Sequence, residues 1–509
     1  MSGTVVDEIR ARAASFPGNV AIADQGRNTT FAQLFERVDR LSMAFVARSL
    51  GKGQAVLAYL PNVTEAVEVE LAVLQSGLAW VTLNSRLTWA EVRGVVAACE
   101  PRLVVTDAPG LARIAAGLRS LPLSSLPAFI VVRPDAAPSG LVADDYEAVL
   151  AASSPSQPQV VVGAEDVARL RYTSGTTGSA KAAVLPHRVY HASLRNLVHE
   201  LGPFTEADRV LHVAPLTHGS GALLYPALHA GATNVLLSQF DPASLLDELE
   251  RHAISVMFTV PTILSRLVSA PGFADRDLSA LRALVYGGAP MPESQLRAAT
   301  AKIARALVQI YGMSEAPWPI TMLKAADHVQ GARLDSVGKP TLVCEVRVVD
   351  DAGTALPPGG VGEIQIRGDN VMSGYHRDPE GTAAVLRDGW LSSGDVGRFD
   401  DAGYLYIVGR AKDVIISGGF NVYAAEVEAV LTSLEGVLEV AVVGEPHDEW
   451  GEQVVAHVVP RPGVSLPVEA VLAFCRGRLS GYKCPKRVEI AEDLPKNASG
   501  KIQKSALRK

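Results

Sequence analysis

The sequence predicts an α/β protein, because apolar β-rich runs alternate with amphipathic segments along most of the chain. Strands are predicted first in "QAVLAYLPN", "RLVVTDA" and "AFIVVRP", and then in "NVLLSQF", "SVMFTVPT", "ALVYGGAP" and "ALVQIYGMSE". Helices are predicted between them, as in "SLLDELERHAI". Strands that alternate with helices form largely parallel sheets, so we expect layered α/β sheets.

The pattern changes near residue 341 and again after residue 409. Short apolar runs separated by glycine and aspartate turns, as in "CEVRVVDDAGTALPPGGVGEIQIRG" and "GRFDDAGYLYIVGR", predict a β-rich subdomain over about residues 341–409. The mixed pattern that follows predicts a small α+β domain over residues 413–509. We therefore expect a large N-terminal domain over residues 1–409, which includes the subdomain, and a short connection at residues 410–412.

Length and composition limit the possible functions. The chain has 509 residues, which is too many for one ordinary core, and 48% of them are hydrophobic. A net charge of −7 argues against nucleic acid as a partner and against a polybasic membrane anchor. No stretch approaches the roughly 20 apolar residues of a membrane span. Four cysteines without zinc-ligand spacing fit a reduced, cytoplasmic protein. The oligomeric state stays open, with a homodimer as one alternative.

The stretch "TSGTTGSAK" at residues 173–181 combines glycines, hydroxyl side chains and a lysine. It is not a P-loop, because Ala180 stands where that motif needs its second glycine and Ala182 stands where it needs a hydroxyl. Its glycines still allow the backbone to approach an anion closely, and Lys181 adds a positive charge. The stretch follows the predicted strand "VARLRY", so an anion site and a solvated loop are both open.

Five stretches occur in a specific order: "YTSGTTGSAK", "YGGAP", "YGMSE", "SGD…GYLYIVGRAKDVIISGGFN" and "PKNASGK". Together they resemble the motifs of the adenylate-forming superfamily, which contains acyl-CoA synthetases, adenylation domains and firefly-type luciferases. The chain is most similar to fatty- or aryl-CoA ligases. The resemblance implies that a carboxylate attacks the α-phosphate of ATP and releases pyrophosphate. The thiol of coenzyme A then attacks the acyl-adenylate, and Mg²⁺ serves as the metal.

The resemblance also assigns the catalytic residues. Lys501 is implied to stabilise charge at the α-phosphate, although a cluster of C-terminal basic residues could also be a solvated tail. Glu315 is implied to bind Mg²⁺, with a helix N-terminal glutamate as the alternative. His218 matches a position near the substrate carboxylate, although a lone histidine is often structural. Lys412 matches the hinge about which a mobile C-terminal domain would rotate.

The remaining site residues follow from the same motifs. Asp395 is implied to accept hydrogen bonds from the ribose hydroxyls. The implied nucleotide-binding residues are Thr173, Ser174, Gly175, Thr176, Thr177, Gly178, Lys181, Gly287, Gly288, Ala289, Pro290, Tyr311, Gly312, Met313, Ser314, Asp395 and Arg410. The implied CoA-binding residues are Gly418, Gly419, Trp450, Lys483 and Lys486. The implied acyl pocket contains His218, Gly219, Val260 and Trp318.

The identity of the acid and of the acceptor stays open at this stage. The pocket segments are apolar or small and offer no obvious charged partner for a second carboxylate, so we expect an apolar monocarboxylic acid, aliphatic or aromatic. Cys484 stands where some relatives have a basic residue, so an acceptor other than CoA is an alternative. That acceptor would be a carrier-protein thiol or an amine. A non-catalytic nucleotide-binding relative is a further alternative.

Overall fold

The computed structural model describes residues 3–121, 126–133, 142–172, 181–291, 293–317, 319–496 and 502–508. The first third of the chain alternates helices with short strands. Its helices are α1 (Val5–Ala13), α2 (Phe31–Ala47), α3 (Thr64–Gln75), α4 (Trp89–Cys99), α5 (Ala108–Leu118) and α6 (Tyr146–Ala152). Its strands are β1 (Val20–Asp24), β2 (Arg27–Thr30), β3 (Ala55–Tyr59), β4 (Ala79–Thr82), β5 (Leu103–Asp107), β6 (Ala128–Val132), β7 (Asp144–Asp145) and β8 (Val167–Tyr172).

The middle of the chain continues the alternation. Its helices are α7 (His187–Glu200), α8 (Leu224–His229), α9 (Pro242–Arg251), α10 (Pro261–Val268), α11 (Glu293–Ile303) and α12 (Ala325–Gln330). Its strands are β9 (Ala182–Pro186), β10 (Arg209–His212), β11 (Thr233–Leu236), β12 (Val256–Thr259), β13 (Ala283–Gly287), β14 (Leu307–Tyr311), β15 (Thr321–Leu323) and β16 (Lys339–Pro340).

The last third is richer in strands. Residues 341–410 form one helix, α13 (Pro379–Val385), and the strands β17 (Cys344–Val349), β18 (Gly362–Gly368), β19 (Gly374–Tyr375), β20 (Leu386–Arg387), β21 (Trp390–Phe399) and β22 (Leu405–Arg410). The C-terminal part contains α14 (Ala424–Thr432), α15 (Val468–Arg476), β23 (Val414–Ser417), β24 (Phe420–Tyr423), β25 (Val437–His447), β26 (Gly451–Pro460) and β27 (Arg487–Ile490).

Two large sheets carry most of the N-terminal part. One has nine strands in the order β16-β15-β14-β13-β12-β10-β11-β1-β2, and the other has eight in the order β19-β9-β8-β4-β3-β5-β6-β7. The pairs β10–β11, β12–β13 and β13–β14 are parallel, as are β3–β4, β3–β5 and β5–β6. The predicted layered α/β class is therefore confirmed.

Two smaller sheets follow. Strands β17, β18, β21, β20 and β22 form an antiparallel five-stranded sheet, and β24, β23, β26, β25 and β27 form a second sheet of five strands near the C-terminus. The β-rich pattern after residue 341 therefore corresponds to a sheet of its own. The domain limits at residues 409 and 413 stay a prediction.

Local sequence explains why the predicted helices form. Helix α9 is the "SLLDELER" segment, and the carboxylate of Asp241 caps it by accepting a hydrogen bond from the backbone N–H of Ser244. Such a cap contributes about 1 kcal/mol to helix stability. Leu245, Leu246 and Leu249 lie on one face and are buried in the core beside the nine-stranded sheet, as their helical spacing predicts.

Candidate functional site

The site is built where neighbouring parallel strands end. Strands β12, β13 and β14 run in parallel, so their carboxyl ends lie along one edge of the nine-stranded sheet. The stretches that the motifs single out follow directly: Val260 after β12, residues 288–290 after β13, and residues 312–315 after β14. Ligands of open α/β sheets bind at the carboxyl ends of strands, so this edge is the expected position of a site.

The two glycines of "YGGAP" have separate structural reasons. A Cβ atom on Gly287 would lie 2.4 Å from the carbonyl oxygen of Ile310, so only glycine fits there. Gly288 has a φ of +84°, which favours glycine. Tyr286 is buried, and its hydroxyl lies 2.9 Å from Nε2 of His328, so this ring faces the core. The surface available to a ligand is therefore formed by small residues and backbone.

Asp395, Tyr311 and Arg410, three of the predicted nucleotide-binding residues, lie together. The Tyr311 hydroxyl donates a hydrogen bond of 2.7 Å to Oδ2 of Asp395, and Nε of Arg410 lies 3.1 Å from Oδ1. Asp395 and Arg410 are paired across strands β21 and β22, while Tyr311 ends β14. Burial and the neighbouring Asp395 carboxylate raise the pKa of Tyr311 well above its ordinary value, so its hydroxyl stays a donor.

Glu315 is held by a residue that the motifs did not identify. The Tyr375 hydroxyl donates a hydrogen bond of 3.0 Å to Oε1 of Glu315, and the backbone N–H of Met372 donates to the Glu315 carbonyl at 2.8 Å. Burial and the Glu315 charge raise the pKa of Tyr375. Nearby, the N–H of Met313 donates to the carbonyl of Ala316 at 3.2 Å. Glu315 and Tyr375 are 60 residues apart in the sequence, and nothing in their local sequences pairs them.

Lys181 lies at the end of the glycine-rich stretch, and its contacts include Asp378 and Tyr375. Its Nζ lies 2.9 Å from Oδ2 of Asp378 and 5.2 Å from the centre of the Tyr375 ring. The hydrogen bond from Lys181 lowers the pKa of Asp378, so that carboxyl is ionised at neutral pH. Asp378 also caps α13 by accepting from the N–H of Gly381 at 2.8 Å. The residue that contacts Lys181 is therefore itself fixed at the start of helix α13.

His218 and Gly219 lie at the start of a turn that packs beside β12, the strand that precedes Val260, and these three residues are called the His218 wall. His218 precedes a 3-10 turn at Gly219–Leu223, and its Nδ1 is 3.2 Å from the Thr217 hydroxyl. His218 is exposed at the surface, but partial desolvation of its ring lowers the pKa of His218, so the imidazole is neutral at pH 7. Val260 is half-buried at the start of α10. This wall supplies a neutral ring and apolar surface.

Two arginines on β8 were not predicted to belong to the site. Nη2 of Arg169 donates to the carbonyl of Thr217 at 2.8 Å, and its guanidinium lies 4.4 Å from the centre of the Trp80 ring. Arg171, two residues nearer the strand end, is half-buried. Burial and the charge of Arg169 lower the pKa of Arg171 to about 9. Its side chain therefore carries a positive charge at pH 7 in partly desolvated surroundings.

Four predicted CoA-binding residues form one cluster in the C-terminal part. Gly418 and Gly419 have φ values of +59° and +80° in the turn between β23 and β24, and the N–H of Gly418 donates to the Trp450 carbonyl at 2.9 Å. The Trp450 ring stacks on His447 at 4.3 Å, and Nζ of Lys486 lies 5.1 Å from its centre.

Lys483 differs from Lys486 in its surroundings. Its Nζ is 2.7 Å from Oε1 of Glu426, so its charge is already paired, and the hydrogen bond to Glu426 raises the pKa of this lysine. Lys412 lies in a 3-10 turn at Ala411–Asp413, between β22 and β23, and its carbonyl accepts from Arg508 at 3.0 Å. Lys412 thus lies in the connection between the last strand of the β-rich sheet and the C-terminal sheet.

Several predicted residues lie outside the described ranges: Thr173, Ser174, Gly175, Thr176, Thr177, Gly178, Trp318 and Lys501. Within the described ranges, there is no group of three or more His, Cys, Asp or Glu side chains that could hold a metal ion. No helix in the described part of the chain is long and apolar enough to cross a membrane.

Known proteins resemble this chain over nearly its full length. The AMP-binding enzyme family matches residues 9–376, and the AMP-binding enzyme C-terminal domain matches residues 426–501. A feruloyl-CoA synthase of an Amycolatopsis species is 37% identical over 500 residues, covering 98% of this chain and 97% of that protein. An indoleacetate–CoA ligase of Aromatoleum aromaticum is 38% identical over 498 residues, covering 97% of this chain and 95% of that protein.

A solved structure agrees with these sequence matches. The amide bond synthetase McbA of Marinactinospora thermotolerans is 32% identical to this chain, with a TM-score of 0.88 and coverage of 99% of both chains. The chain therefore belongs to the AMP-binding enzymes, the adenylate-forming superfamily that the five motifs predicted, and is an acid–thiol ligase of the acyl-CoA synthetase type.

Proposed function

We propose that the chain is an ATP-dependent carboxylate–CoA ligase for an apolar monocarboxylic acid, either fatty or aromatic. It first joins the acid to AMP and releases pyrophosphate, and then transfers the acyl group to coenzyme A. The observation that carries this proposal is the convergence of Asp395, Tyr311 and Arg410 beside the stretch that ends in Glu315. This cluster places a carboxylate for the ribose against Tyr311, which stands four residues before the candidate metal ligand Glu315.

The nucleotide half of the site supports the first step. In the proposed complex, the Asp395 carboxylate accepts hydrogen bonds from the ribose hydroxyls, and the small residues 287–290 lie along the base. The glycine-rich stretch and Lys181 bind the leaving phosphates, while Lys501 stabilises charge at the α-phosphate. A carboxylate and ATP are both anions, so positioning and charge stabilisation supply most of the catalysis.

The Glu315 carboxylate is suited to be one ligand of Mg²⁺. Magnesium is commonly bound by one or two carboxylates together with substrate phosphates and water. The Tyr375 hydroxyl occupies one side of the Glu315 carboxylate at 3.0 Å and leaves other lone pairs for a metal. When bound, the ion would neutralise phosphate charge. Glu315 would orient it, and Tyr375 would fix the carboxylate.

The second step is assigned to the C-terminal cluster. The turn at Gly418 and Gly419, next to Trp450, supplies backbone without side chains, along which an extended pantetheine group could pass closely. Lys486, beside Trp450, would meet the CoA phosphates. We further propose that the part before residue 410 binds the nucleotide and that residues 413–509 rotate about Lys412 between the two steps.

The acid would bind between His218, Gly219 and Val260. A neutral imidazole and apolar neighbours favour an apolar body. The names of the two relatives specify feruloyl and indoleacetate groups, which are aromatic. Aromatic acids are therefore tested first, with fatty acids beside them.

The four cysteines are buried and unbridged, which fits a cytoplasmic enzyme.

A different acceptor is the second candidate function. The likeness to an amide bond synthetase favours testing amines in place of CoA. A carrier-protein thiol is the other alternative acceptor. A non-catalytic nucleotide-binding relative would release no pyrophosphate with any acid.

The experiment measures pyrophosphate release from ATP with a panel of cinnamic, arylacetic and medium-chain fatty acids. Each reaction contains CoA, an amine, or neither, and mass spectrometry identifies the product. We expect acid-dependent pyrophosphate release and an acyl-CoA product. Amide formation without thioester would contradict the proposed acceptor. Absence of pyrophosphate release with every acid, while the Lys501→Ala control behaves identically, would contradict the enzymatic proposal.

A further inference from the structure

Arg171 shares a face of the eight-stranded sheet with the residues around Glu315. In the β8–β9 ladder, Arg171 is opposite Ala183, and in the β9–β19 ladder, Ala183 is opposite Tyr375. Side chains of directly opposed residues point to the same face of a sheet. Tyr375 reaches Glu315 on that face at 3.0 Å. Arg171 therefore projects toward the side of the sheet that carries the Tyr375–Glu315 pair.

The same face extends to the His218 wall. Arg169 and Arg171 are two residues apart on one strand and so point to the same side. Arg169 donates to the carbonyl of Thr217, directly before His218. The charge of Arg171 helps to lower the pKa of His218. The charge of Glu315 acts on Arg171 in the opposite sense and partly offsets the lowering of the Arg171 pKa. Arg171 is therefore close to both the candidate metal ligand and the candidate acyl pocket.

The two arginines differ in their partners. The guanidinium of Arg169 is engaged by Thr217 and lies against Trp80. In the ranges that the structure describes, the guanidinium of Arg171 makes no hydrogen bond and no ion pair, and the residue is half-buried. A partly desolvated charge without a partner is unfavourable, and an anion that binds beside it relieves that cost.

We propose that Arg171 binds the carboxylate of the acid substrate before adenylation. The proposal rests on the proposed function, which requires a carboxylate between the His218 wall and Glu315. In the first step, a carboxylate oxygen forms a bond to the α-phosphorus. The bond from that phosphorus to the bridging oxygen breaks, and pyrophosphate leaves with the electron pair. The acyl group in the product no longer carries the carboxylate charge, so Arg171 should favour the acid over the acyl-adenylate.

The test compares Arg171→Gln, Arg171→Lys and the wild type. Arg297→Gln is the control, because Arg297 is an exposed arginine on α11 that is paired only with Glu293. Cinnamic acid, or the best acid of the panel, is the substrate, and its primary carboxamide is the uncharged competitor. A hydrogen bond to a charged group predicts a rise of roughly ten- to hundredfold in the KM for the acid in Arg171→Gln. The KM for ATP, the Ki of the carboxamide and thioester formation from supplied acyl-adenylate should change less than about threefold.

Arg171→Lys keeps the charge and should recover part of the loss. An unchanged KM for the acid in Arg171→Gln would overturn the proposal. A raised KM for ATP and weaker inhibition by inorganic pyrophosphate, with the KM for the acid unchanged, would assign the anion to pyrophosphate and would also overturn it. If Arg171→Gln does not fold, Arg171→Met and Arg171→Lys supply the same comparison. The proposed function is judged separately, by acid-dependent pyrophosphate release of the wild type.

Discussion

Replacing Asp395 by alanine tests the nucleotide site most sharply, because the structure gives this carboxylate two protein partners. Tyr311 donates to it at 2.7 Å, and Arg410 lies 3.1 Å away. Removing the carboxylate leaves the buried Tyr311 hydroxyl without that acceptor, which costs about 1–3 kcal/mol of stability. Arg410 is half-exposed, so loss of its ion pair adds only about 0.2–1 kcal/mol. The variant should therefore fold, with a lower melting temperature.

Among the kinetic constants, the substitution should change the KM for ATP and leave the KM for the acid unchanged. If Asp395 accepts hydrogen bonds from the ribose, its loss removes about 1.5–3 kcal/mol of binding, or roughly ten- to hundredfold in the KM for ATP. The assay is pyrophosphate release against ATP concentration at saturating acid. Tyr311→Phe is the matched control, because it breaks the same internal hydrogen bond but keeps the carboxylate. A raised KM for the acid with an unchanged KM for ATP would refute the assignment.

Three further predictions concern other parts of the molecule. Glu315→Gln keeps the shape but removes the charge, so a Mg²⁺ titration of pyrophosphate release should shift to higher concentration; an unshifted curve would remove Glu315 from the metal site. Lys412→Pro should retain single-turnover acyl-adenylate formation and lose most acyl-CoA formation, because proline fixes φ; Lys412→Ala should partition as the wild type does. Burial lowers the pKa of His187 to about 4, so the contribution of this residue to stability should fall by about 2 kcal/mol from pH 7 to 5, where only the unfolded chain gains the proton; because burial also lowers the pKa of His212 to about 4, urea unfolding of His187→Leu should show a loss that is smaller than that of the wild type but not absent.

Local sequence was sufficient to predict the fold class and the approximate positions of several strands. Apolar runs such as "SVMFTVPT" and "ALVYGGAP" became the parallel strands β12 and β13, because β-branched residues and flanking turns agree with their burial. The nucleotide-site cluster was predicted only through motif resemblance. Its contacts join Tyr311 on one sheet to Asp395 on another, and no local pattern contains that pairing.

The contacts that sequence reasoning missed are long-range and polar. Tyr375 reaches Glu315 because β19 pairs with β9, and a two-residue strand has no recognisable pattern. Arg171 reads as an ordinary polar residue in "VARLRY", and only the ladder register shows which face it occupies. Helix α3 contains further polar contacts that its local sequence does not predict. Its three glutamates are buried, and Glu68 is accommodated by Arg37 at 2.6 Å from another helix.

We propose that one active site performs two reactions in sequence, with an acyl-adenylate between them. Rapid-quench analysis of a single turnover, with labelled ATP, the best acid of the panel and CoA, follows the nucleotide and acyl products in the same samples. We predict that acyl-adenylate and pyrophosphate appear first and that acyl-CoA and AMP then replace the adenylate in equal amounts. Without CoA, the adenylate should accumulate on the enzyme. Formation of ADP and phosphate, or of acyl-CoA with no preceding adenylate, would contradict the account.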